Sequence, residues 1–238
     1  GCATAYVAQD PPSETRLSEG DFSMPSMLRE HGLAIAICFG GELLFYLLYQ
    51  HIKHTTGTER ACALCCKAAA TLFAAALAWY GAALRPGAPE LLLALGLTVC
   101  AAADVLLRLN FLWGMACFGA GHLLYSTAYV LAAPPGWTSL GAFAVLAVFC
   151  LLRYPGLKKY AGKKNPLPYL GYALLLCVML SLALPQKPVL LAGAALFVVS
   201  DSLLARRIML KIQSNRYDDL CLGVYYLAQF LIALSLLT

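Results

Sequence analysis

The chain predicts an all-α, polytopic integral membrane bundle of eight transmembrane helices with both termini on the non-cytoplasmic side. Three observations carry that expectation. Hydrophobic residues make up 61% of the 238 and charged residues only 12%, which is more apolar surface than a water-soluble core can hide. The apolar residues fall into runs close to the ~20 residues that cross a bilayer as a helix. Finally, Lys and Arg are divided very unequally between the two sets of connections that such helices would make.

Taken in order, residues 1–30 are polar and acidic (Asp10, Glu14, Glu19, Asp21), carry Pro11 and Pro12 and show no apolar periodicity, so a mobile arm is expected there. Residues 31–238 form one membrane domain. Its spans are read at 33–50, 61–83, 90–109, 111–132, 137–153, 168–184, 188–210 and 220–238. The runs are too long for strands and lack the alternation of a membrane barrel. The connections are short and rich in turn formers, as in Arg85-Pro86-Gly87-Ala88-Pro89, Pro134-Pro135-Gly136 and Asn165-Pro166-Leu167-Pro168, which leaves no room for a soluble domain.

An even number of spans puts both termini on one side. Lys53, Arg60, Lys67, Arg108, Arg153, Lys158, Lys159, Lys163, Lys164, Arg206, Arg207, Lys211 and Arg216 then share one face, and Arg16, Arg29, Arg85 and Lys187 the other. Cytoplasmic loops hold the positive excess, so the larger set is expected in the cytoplasm. The net charge of +5 is accounted for by topology and attraction to anionic lipid headgroups, and calls for no nucleic-acid partner. Of the ten cysteines, most lie inside spans, where cysteine packs as a small hydrophobe. Cys62, Cys65 and Cys66 cluster at the start of the second span with no histidine or fourth cysteine at ligand spacing, so no metal is expected there.

Ionisable side chains inside spans cost roughly 2.5–3.5 kcal/mol on insertion scales, and each calls for a partner or a function. Glu42, Asp104, His122 and Asp201 are such residues, with Gln229 as an uncharged companion. His122, Asp201 and Gln229 sit about ten residues from the cytoplasmic ends of their helices, or about 15 Å at the helical rise, close to the bilayer middle. Residues three or four apart share a helix face, which gives Tyr125 to His122, Tyr225 and Tyr226 to Gln229, Tyr46 to Glu42 and Arg108 to Asp104. Taken singly, Asp104 with Arg108 is open to reading as an interfacial ion pair and His122 as a satisfied core histidine, and Glu42 and Gln229 fit interhelical glue and a site equally. Taken together, polar groups from several helices at one depth read as a site.

The segments Ala101-Ala102-Ala103-Asp104-Val105-Leu106-Leu107, Gly119-Ala120-Gly121-His122-Leu123-Leu124-Tyr125, Val199-Ser200-Asp201-Ser202 and Tyr225-Tyr226-Leu227-Ala228-Gln229 resemble, in this order and spacing, the successive signatures of the YhhN-like lysoplasmalogenase family. The resemblance runs from about residue 59 to the C-terminus. It implies an eight-helix hydrolase of the bacterial cell membrane or a eukaryotic endomembrane such as the endoplasmic reticulum, needing no cofactor. Such an enzyme cleaves the sn-1 vinyl ether of a lysophospholipid into a fatty aldehyde and glycerophosphoethanolamine or glycerophosphocholine.

A vinyl ether is protonated on its outer alkene carbon, and water captures the resulting oxocarbenium ion. The chemistry calls for an acid and an anion rather than an activated serine. Asp104 and Asp201 are expected to divide those roles, with His122, oriented by Tyr125, positioning or deprotonating the water. Lys67 and Arg108 are expected to contact the phosphate, and Tyr225, Tyr226, Gln229 and Glu42 to complete the substrate-binding set. Two competing readings are a zinc hydrolase, disfavoured because His31, His51 and His54 lie at or beyond span ends, and a small proton-coupled transporter, which would call for inverted repeats that are not evident.

Overall fold

The computed structural model describes residues 24–56, 61–161 and 165–238, and these form eight α-helices with no strand among them. They are α1 (Met24–Thr56), α2 (Ala61–Leu84), α3 (Ala88–Leu109), α4 (Phe111–Ala132), α5 (Trp137–Ala161), α6 (Leu167–Ala183), α7 (Pro188–Leu210) and α8 (Asn215–Leu234). Seven are long and apolar enough to cross a membrane, while α6 has only 17 residues. Large apolar side chains stand exposed around the outside, among them Leu33, Leu47, Val145, Leu152 and Trp137. Apolar surface on that scale needs lipid as its solvent, and the chain is an integral membrane protein.

Three helices extend well beyond the spans read in the sequence. The expected arm lies outside the described residues up to position 23, and residues 24–30 belong to α1, which starts at Met24 rather than near Leu33. Helix α5 continues through Pro155 to Ala161 instead of stopping at Arg153. A proline deletes one backbone hydrogen bond, and the basic Lys158 and Lys159 of the last turn complement the negative end of the helix dipole. Helix α8 begins at Asn215 rather than Leu220 and ends at Leu234; its polar first turn is held because Asp218 pairs with Lys53 at 3.0 Å and with Arg207. Arg16, Arg60, Lys163 and Lys164 of the orientation count lie outside the described residues.

Helix α3 packs against α2 and α4, α8 against α7 and α2, α6 against α4 and α5, and α1 lies across α2 and α8. The core of this bundle is lined by small residues. Ala70, Ala74, Ala75, Ala78, Gly81 and Ala82 of α2 are all buried, as expected where backbones approach closely in lipid. Prolines in the first turns of α3, α6 and α7 start those helices at no hydrogen-bond cost. A single residue joins α3 to α4: Asn110 caps α4 by accepting from the amides of Leu112 and Trp113 at 3.0 and 3.2 Å.

Just inside α4, Gly114 faces the Leu107 backbone so closely that any Cβ would collide with it. Gly114→Val is therefore expected to destabilise the protein by about 1–3 kcal/mol through overpacking, read as a lower melting temperature in detergent. An unchanged melt would show that the hairpin is looser than described.

Candidate active site

Helix periodicity places residues four apart on one face, and four pairs of this kind, Lys67 with Thr71, Cys100 with Asp104, Phe197 with Asp201 and Tyr225 with Gln229, help build two polar groups in the core. The first group centres on Asp104 of α3, which is 2% exposed. Lys67 of α2 lies 3.2 Å from its Oδ1. One turn on, the Thr71 hydroxyl donates to Oδ2 at 2.6 Å, and the Tyr225 hydroxyl of α8 donates to the same oxygen at 2.9 Å. Gln229, one turn after Tyr225, donates its amide to the Tyr225 oxygen at 2.9 Å and accepts from the Tyr125 hydroxyl of α4 at 3.1 Å. The protons of this chain all point toward Asp104. Cys100, one turn before Asp104, closes the group with its sulfur 3.6 Å from the Tyr125 oxygen.

The second group joins α4, α6 and α7. The Tyr172 hydroxyl donates to Oδ2 of Asp201 at 2.5 Å and lies 3.1 Å from Nε2 of His122, which is itself 3.8 Å from that carboxylate oxygen. Asp201, Tyr172 and His122 thus form a row along which a proton can pass in either direction, since a phenol both donates and accepts. His122 is fully buried, and its Nδ1 has no hydrogen-bond partner among the described residues. The Asp201 side chain is 12% exposed, more than that of Asp104.

Phe197, one turn before Asp201, packs its ring against both groups, with centroids 4.6 Å from His122 and 5.5 Å from Tyr225. Close packing around the two groups is allowed partly by glycine. Gly96 leaves room for the Tyr125 ring, and Gly193 lets α7 approach α8 beside Ile232.

The two carboxyls meet different surroundings. Asp104 takes three donors, one of them an ammonium, and such a set suits an acceptor. Asp201 takes one phenol, with an imidazole one step behind it. That contrast is the arrangement acid-base chemistry uses when two carboxyls divide acceptor and donor roles.

Of the residues singled out in the sequence, Asp104, Lys67, Tyr125, Tyr225 and Gln229 come together in one group, and Asp201 and His122 in the other. Tyr226 stands beside the first, its hydroxyl donating to the Lys67 carbonyl at 3.0 Å. Three expected pairings are replaced. Asp104 is paired by Lys67, and Arg108 lies exposed in the last turn of α3. His122 is hydrogen-bonded by Tyr172, while Tyr125 bonds Gln229 and touches the imidazole only edge-on at 6.1 Å. Tyr46 donates to the Asp219 carbonyl, and Glu42 stands apart from both groups.

Thr71, Tyr172 and Phe197 escaped the sequence reading. Thr71 stands four residues after Lys67 in an alanine-rich helix, and Tyr172 is a phenol in an apolar run; each of those was a usable signal. The model of the YhhN family matches residues 62–236, a stretch that holds both polar groups entire. No curated protein and no solved structure matches the chain.

Proposed function

Because this chain belongs to the YhhN family, we propose that it is a lysoplasmalogenase. It hydrolyses the sn-1 vinyl ether of 1-alkenyl lysophospholipids to a fatty aldehyde and glycerophosphoethanolamine or glycerophosphocholine. The observation that carries this reading is the pair of carboxyls from α3 and α7, the first buried and ringed by donors, the second partly buried at the end of a proton row.

In this scheme Asp201 delivers its proton to the outer alkene carbon, and the positive charge that develops on the ether carbon and oxygen is stabilised by anionic Asp104. Water adds to the ether carbon, and its proton returns to Asp201 through His122 and Tyr172. The resulting hemiacetal breaks its carbon–oxygen bond to glycerol; the hydroxyl proton moves to the glycerol oxygen and the aldehyde is released. One water is consumed and the carboxyls end as they began. Phe197, which touches both groups, turns aside to admit the ether. The headgroup lies at the cytoplasmic rim near Arg108, eight spans cross the bilayer, and both termini face away from the cytoplasm.

The test is incubation of purified protein with a 1-alkenyl lysolipid and its 1-alkyl analogue. Aldehyde is expected from the alkenyl compound alone, and in D2O it carries one deuterium on the carbon next to the carbonyl. No aldehyde, together with proton-driven uptake of lipid in vesicles, would establish a carrier instead.

A further inference from the structure

Glu42 belongs to neither polar group and lies in α1, outside the family-matched residues. Its side chain is almost completely buried at 3% exposure, and neither carboxyl oxygen has a hydrogen-bond partner among the described residues. Buried polar groups in folded proteins are almost always satisfied, and an exception calls for an explanation.

Glu42 lines a groove of about 190 Å³ between α1 and α8, together with Phe39, Leu43, Tyr46, Tyr226, Leu227 and Phe230. Phe39, Leu43 and Leu227 are also exposed on the apolar outer face of the bundle, so the groove opens sideways to the bilayer rather than to water. What enters it comes from the membrane, and the volume suits a single alkyl chain. The two phenols on its wall have already committed their protons, Tyr46 to the Asp219 carbonyl and Tyr226 to the Lys67 carbonyl. The wall therefore offers an apolar surface, with the buried Glu42 carboxyl just behind it as the one polar group not committed to a partner among the described residues. It shares Tyr226 with the group around Asp104.

We propose that the α1–α8 groove is a binding subsite for a single-chain lipid whose free glycerol hydroxyl donates a hydrogen bond to Glu42. Resting on the activity proposed above, this subsite selects substrate, because a lysolipid carries that hydroxyl at sn-2 and a lipid acylated there does not. Glu42 is thus a specificity residue for the lyso form, supplied by a helix outside the stretch that holds the two carboxyls.

The experiment measures binding rather than turnover. Purified full-length protein is titrated with 1-alkyl-sn-glycerophosphocholine, which has no vinyl ether and whose headgroup has no N–H donor, and with its 2-O-methyl analogue. The wild type is expected to bind the free hydroxyl about tenfold more tightly, the worth of one hydrogen bond to a polar partner. Glu42→Leu is expected to bind both equally and, relieved of an unsatisfied carboxyl, to melt at the wild-type temperature or above. Equal binding by the wild type, or full discrimination in Glu42→Leu, overturns the proposal. Gly223→Leu fills the groove from α8 and gives an independent reading: weaker binding of the hydroxyl compound supports the subsite, and unchanged binding refutes it. Discrimination without any aldehyde release from the alkenyl lipid would count against the hydrolase and leave the groove standing.

Discussion

Asp201→Asn is expected to lower aldehyde release from a 1-alkenyl lysolipid by roughly 10²–10⁴-fold, the usual worth of a positioned general acid. The substitution keeps the shape of the side chain, and its carbonyl oxygen can still accept the Tyr172 proton, so the melting temperature should move little. An amide cannot deliver a proton to carbon. Turnover close to wild type in a folded Asp201→Asn protein would remove Asp201 from the chemistry. The acid role falls to this residue and not to Asp104 because Asp104 is already surrounded by an ammonium and two hydroxyl donors, and a proton placed there would have to displace one of them.

Asp104 gives the second large effect, and here stability and chemistry must be separated. Breaking a buried ion pair by removing one partner costs about 3–5 kcal/mol, because the other charge stays buried without compensation. Asp104→Asn strands the Lys67 ammonium, whose side chain is only 15% exposed, and Lys67→Met strands the carboxylate. Both single variants are expected to melt well below the wild type. The double variant Lys67→Met with Asp104→Leu should recover much of that loss, since replacing a buried pair by apolar residues is often neutral, while releasing no aldehyde. Additive losses in the double variant would mean that the two residues do not interact. A stable double variant that still turned over substrate would show that Asp104 does not stabilise the transition state.

The structure bears on the sequence reading unevenly, and the unevenness has a cause. Hydropathy is a local sum, so eight helices and a membrane environment could be read from composition and run length alone. The cost of a charge in lipid marked Glu42, Asp104, His122 and Asp201 as residues needing an explanation. Boundaries failed where polar residues extend a helix beyond its apolar run, at Met24 and Asn215, because the backbone hydrogen bonds of a helix are internal and do not depend on apolar side chains.

Pairing was another matter. In a soluble helix the apolar stripe tells which face turns inward, but here core and lipid are both apolar, and periodicity carries little of that information. Which partner each polar residue meets was left to the small residues that set how closely and at what rotation the helices pack. Asp104 thus meets Thr71 and Tyr225, 33 and 121 positions away, and Lys67 in place of Arg108. His122 meets Tyr172 in place of Tyr125. The sequence by itself determined that acids, a histidine and phenols lie within the membrane. Only tertiary packing decided that one acid is ringed by donors, a second heads a proton row, and a third is left buried and unsatisfied beside a groove open to lipid.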